Sequence, residues 1–111
     1  MQEFLLILKG DGMSTLSPDE MQQLLLKYKA WVQKLGDQYV AGQRLQNKGS
    51  FMKNKDNVMT DGPFLEPKEM IAGYFVIRAK DQNEADTIAL SCPHLGLYQI
   101  EVRPLVQPLM H

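Results

Sequence analysis

Few side chains in this sequence are suited to proton transfer near neutrality. Asp61 is the first: a carboxylate at the entrance to a strand can take a proton, or hold a donor group of a ligand. His94 is the second, because an imidazole after the Cys92-Pro93 helix end can work as acid or base, with Asp61 in a position to orient it. Each has a plain structural alternative. Aspartate before glycine closes a turn on its own backbone, and a histidine beyond a helix end complements the helix dipole or is simply solvated. His111, the other histidine, is terminal and gives no catalytic reading.

A binding site can be sketched around the same stretch. Gly62, Pro63 and Phe64 follow Asp61 in a turn where glycine tolerates positive φ and proline fixes its own. Trp31, Tyr28 and Tyr74 could wall a pocket for a small aromatic or apolar ligand, although aromatics at helical spacing also build cores. Lys9, Lys68 and Arg78 could hold an anion, and each is equally an ordinary surface charge. Gly10-Asp11-Gly12 precedes a helix but lacks a phosphate-loop pattern, and Ser17-Pro18 already caps that helix, so no nucleotide cofactor is expected. Two histidines and one cysteine, far apart in the chain, give no metal constellation. Cys92 falls on a buried stripe and reads as inert.

These residues must be positioned by recognisable elements. Glu3 to Lys9 is an apolar run, too short for a buried helix, that reads as a strand with Phe4, Leu6 and Leu8 on one face and Leu5 and Ile7 on the other. Ser17-Pro18-Asp19-Glu20 is a capping box with proline at the first helical position. Met21, Leu24, Leu25, Tyr28, Trp31, Val32 and Leu35 then follow as one apolar helix face, and Gly36 stops it. Tyr39 to Gln46 is a weaker strand, with Gly42 marking a bulge or a close contact. Ser50 to Met52 and Val58 to Thr60 flank a polar turn and form a hairpin. Ile71 to Ala79 is a second strand apolar on both faces, with Tyr74 and Val76 opposite Phe75 and Ile77. Asp81 caps a short helix carrying Ala85, Ile88, Ala89 and Cys92, which Pro93 ends. Tyr98 to Arg103 alternates as an edge strand.

The chain has 111 residues, 44% hydrophobic and 23% charged, and a formal net charge of −1. One domain is expected over 1–111, with a core at 2–105 and a tail at 106–111. Near-zero charge with scattered lysines gives no basis for direct nucleic-acid binding or an anionic membrane partner. No stretch reads as a membrane span or a leader, so a cytoplasmic location is expected. The order β-α-β-hairpin-β-α-β is the split βαβ, ferredoxin-like α+β pattern with an antiparallel sheet. Two helices cover only one face of that sheet, although its central strands are apolar on both. A homodimer with sheets facing each other, a dimeric α+β barrel, would cover the rest.

TDGPFLEPKEMIAGYFVIRAKD, with Glu84-Ala85, Cys92-Pro93 and the closing Ile100-Glu101-Val102-Arg103-Pro104-Leu105, resembles the DGPF family of YCII-related proteins over nearly the whole chain. The resemblance implies a ferredoxin-like fold and a dimeric barrel. It also implies a regulatory or accessory role, often beside an extracytoplasmic-function sigma factor, or the binding of a small molecule. The alternative is an enzyme using acid/base chemistry in a cleft beside the sheet. Some relatives pair a first-helix histidine with an aspartate. The helix MQQLLLKYKAWVQKL has no histidine, so that dyad does not transfer.

Overall fold

The computed structural model describes residues 1–46, 48–60 and 70–107, with the side chains of Met59 and Thr60 left aside. Strands β1 (Gln2–Lys9), β2 (Tyr39–Arg44), β5 (Ile71–Ala79) and β6 (Gln99–Pro104) form one antiparallel sheet in the order β2-β5-β1-β6. The two strands that are apolar on both faces therefore lie in the middle, where each is paired along both edges. This is the ferredoxin-like α+β arrangement expected from the element order. Strands β3 (Ser50–Asn54) and β4 (Asn57–Thr60) make a separate two-stranded hairpin.

One face of the large sheet carries helices α1 (Pro18–Leu35) and α2 (Gln82–Leu90). The core lies beneath them: Phe4, Leu6 and Ile77 are fully buried, with Phe75, Trp31, Ala85 and Ile88 packed around them. Full burial of each such large side chain stabilises by roughly 1.5–3 kcal/mol. Both helix starts follow their sequence signals. The Glu20 amide donates to Ser17 Oγ at 3.1 Å and the Ser17 amide donates to Glu20 Oε1 at 3.0 Å, a complete capping box. The Asp81 side chain caps α2 by accepting from the Glu84 amide at 2.9 Å. The Glu84 carboxylate meanwhile accepts from the Lys80 amide and from Gln38 Nε2, tying the start of α2 to the turn before β2.

Three local expectations are refined. Strand β2 ends at Arg44, not Gln46, although the Leu45 amide still donates to the Ala72 carbonyl at 2.8 Å. Of the two readings for Gly42 the close contact holds, because a Cβ at 42 would collide with Tyr39 and Phe75, whereas the register shift falls earlier, between Tyr39 and Ala41. Leu25, on the supposed buried face of α1, is 49% exposed, since that end of the helix stands away from the sheet.

Among the described residues, the other face of the sheet carries no helix. Leu5 and Ile7 of β1 pair with Val76 and Tyr74 of β5, and all four are only half-buried. Charged pairs border them: Glu3 with Arg78 at 3.5 Å, and Lys9 with Glu101 at 3.1 Å.

Candidate functional site

The C-terminal half of α1 is pinned to the core by Trp31, whose indole NH donates to Ser91 Oγ at 2.9 Å, and by Val32 and Leu35. Its N-terminal half has no such anchor. Met21, Leu24 and Leu25 line a hollow above the sheet, and Leu24 is buried without joining the main core, while Tyr28 at mid-helix stacks on Phe75 with ring centroids 5.6 Å apart. The floor below them is cleared by two glycines on neighbouring strands. Gly42 of β2 lies opposite Phe75, and Gly73 of β5 lies opposite Arg44 and Leu8. A Cβ at 73 would sit 2.7 Å from the Gln43 carbonyl oxygen and 3.3 Å from Arg44 Cα. The result is a cleft of about 640 Å³ between helix and sheet. A smaller recess of about 300 Å³, lined by Gly10, Asp11, Met70 and Ile71 among others, shares Met13, Arg44, Ala72 and Tyr98 with it.

The cleft walls are mostly apolar, and few polar groups reach them. His94 enters from the turn after α2. The Leu95 amide donates to the Cys92 carbonyl, and the Tyr98 amide donates to the His94 carbonyl at 3.0 Å, so the turn is closed on both sides of the imidazole. The ring meets Tyr28 and Phe75 edge-on, with centroids 5.6 and 5.5 Å away, and Tyr98 lies 6.3 Å off. Nδ1 lies 3.8 Å from Cys92 Sγ. No buried side-chain nitrogen or oxygen among the described residues lacks a partner, and His94 lines the cleft.

Burial lowers the pKa of His94, and the Arg44 guanidinium lowers it further. The imidazole is therefore neutral at pH 7, able to accept a proton. Burial pushes the neighbouring Cys92 thiol up to about 11, which leaves it protonated and unreactive, as the sequence indicated. Tyr28 and Tyr39 share a hydroxyl–hydroxyl hydrogen bond, and burial raises Tyr39 well above its ordinary value. On the far wall Tyr98 accepts at its hydroxyl from the Met13 amide at 3.3 Å, fixing the 3-10 turn Gly12–Thr15 against β6.

Of the residues singled out from sequence, His94 lines the cleft and Tyr74 belongs to the stretch of β5 that borders it. The register places Tyr74 opposite Ile7, facing the uncovered side of the sheet. Trp31 is 6% exposed and belongs to the core. Arg78 sits on the uncovered face, paired with Glu3. Asp61, Gly62, Pro63, Phe64, Lys68 and His111 lie outside the described residues. Sequence reasoning passed over Arg44, Leu8, Met13 and Tyr98. Arg44 had a usable signal: it follows Gly42 by two residues, on the same face of the strand. Among the described residues no group of three or more histidine, cysteine, aspartate or glutamate side chains could hold a metal ion.

The family model described as the YCII-related domain matches residues 3–107. No curated protein matches the chain. Among solved structures, the fold is similar to that of 5-chloro-2-hydroxyhydroquinone dehydrochlorinase from Burkholderia phenoliruptrix AC1100, in complex with 2,5-dihydroxybenzoquinone. That similarity has a TM-score of 0.57 at 16% identity and covers 97% of each chain.

Proposed function

From the premise that this chain belongs to the YCII-related family, we propose that it binds a small ring-shaped organic molecule in the cleft between α1 and the sheet, with His94 as the proton-transferring group. One observation carries the reading. A neutral, half-buried imidazole lines a mostly apolar cleft of about 640 Å³, a volume ordinary for a small-molecule site. Desolvation keeps the imidazole unprotonated at neutral pH, the state a general base needs. The similar fold of an enzyme captured with a dihydroxybenzoquinone supports a ligand of that size. Asp61, outside the described residues, stays a candidate partner for His94 in the same chemistry.

The acting unit in this reading is a homodimer. Leu5, Ile7, Tyr74 and Val76 form an apolar centre bordered by charged pairs on the helix-free face. A second copy would cover that centre, with about 800 Å² per partner needed for a standard interface. An accessory role beside a sigma factor would use the same cleft to sense a ligand without consuming it.

Thermal-shift screening of cyclic compounds, 2,5-dihydroxybenzoquinone among them, tests the site on the wild type and on His94→Gln. The proposal expects at least one ring compound to raise Tm in the wild type and to do so less in the variant. Mass spectrometry of the incubated compound then separates enzyme from sensor, because only an enzyme converts it. Indifference of both proteins to every compound would contradict the site.

A further inference from the structure

We infer that the ligand of this cleft is an organic anion, a flat apolar body bearing one negative charge, and that Arg44 is the residue that selects it. The inference rests on the small-molecule reading above and specifies the chemistry of that site.

Among the described residues that line the cleft, Arg44 is the one formally charged at neutral pH, and no aspartate or glutamate lines it. Among the described residues Arg44 makes no ion pair within 4 Å, whereas the other arginines of the sheet do: Arg78 pairs with Glu3 and Arg103 with Glu101. Asp11 lines the adjoining recess that Arg44 also borders, yet it is not among the ion pairs. A guanidinium beside an apolar cleft has a fork of donors suited to a carboxylate or another planar oxyanion.

The backbone provides room for that partner. Arg44 and Gly73 are opposite one another across the β2–β5 pair, so no side chain rises from β5 at this position. Leu8 flanks the gap on β1. Beyond it, Phe75, Tyr28 and Leu24 offer flat or apolar surface for the body of the ligand. Charge is therefore recognised at one end and an apolar ring along the walls. A neutral ring would gain no ion pair with the guanidinium, and an organic cation would be repelled by it.

The test compares 2-naphthoate with its neutral isostere 2-naphthamide, using isothermal titration with wild type, Arg44→Gln and Arg44→Lys. Arg44 is exposed on an edge strand, so the variants should fold, and circular dichroism with Tm checks that. The expected result is that the wild type prefers naphthoate by roughly tenfold or more, as a charge-assisted hydrogen bond supplies. Arg44→Gln should lose that preference while holding naphthamide unchanged, and Arg44→Lys should recover part of it. Equal affinity of wild type for the two compounds would overturn the anion assignment and leave the cleft reading standing. Binding of neither at millimolar concentration, with folded protein, would overturn both.

Discussion

His94 is the residue on which the proposed chemistry depends, and its surroundings fix its behaviour with pH. Desolvation, aided by Arg44, holds the imidazole below its ordinary value of 6.5. A reaction that uses it as a base should therefore keep its rate on acidification past pH 6.5 and fall only lower, which a pH–rate profile would read. Stability is linked to the same shift. Between the native value and 6.5 the unfolded chain binds a proton that the folded chain does not, so stability is full above 6.5 and declines as pH drops through that window. Urea unfolding at pH 7.5 and 5.5 should show a smaller loss in His94→Gln than in wild type. Cys92, with a thiol raised to about 11, should resist iodoacetamide in the native protein and react once unfolded. Ser17→Ala removes one half of the α1 capping box and should cost about 1 kcal/mol in chemical denaturation.

At the scale of elements, the cleft exists because α1 is fastened at one end only and because two strands carry glycine where a side chain would fill the floor. The 3-10 turn that closes one wall depends on a third glycine. A Cβ at position 12 would lie 2.1 Å from the Leu97 carbonyl oxygen, so Gly12→Ala must push that turn away from the β6 end. The variant should lower Tm and weaken any cleft ligand, as thermal-shift measurements with and without 2-naphthoate would show. The strands and helices were readable from sequence because their signals are local: a capping box at Ser17, an aspartate cap at Asp81, and apolar faces at period two in β1 and β5. The cleft was not. Arg44 comes from β2, His94 from the turn after α2 and Tyr98 from the residue before β6, and the sheet order β2-β5-β1-β6 brings them to one hollow. Trp31 shows the converse difficulty. A large aromatic on an apolar helix face looks the same in sequence whether it lines a pocket or fills a core, and here it fills the core.

At the scale of the whole molecule, the sheet separates two surfaces with different tasks. The helix side holds the core and the cleft. The other side presents half-buried Leu5, Ile7, Tyr74 and Val76 inside a charged border, as a self-complementary dimer face would. Ile7→Lys should convert a dimer to monomers in sedimentation velocity at micromolar concentration, with the helical circular dichroism signal kept. The claim that joins both sides is that an enclosed, neutral imidazole waits in a ligand-sized hollow. Nitrogen NMR of the 15N-labelled imidazole of His94, followed from pH 8 to 4 and then on addition of 2-naphthoate at pH 7, reads this directly. The expected result is a neutral ring that titrates below 6.5 and whose ring signals move when the ligand binds. A ring that titrates at or above 6.5 and does not respond to saturating ligand would contradict it.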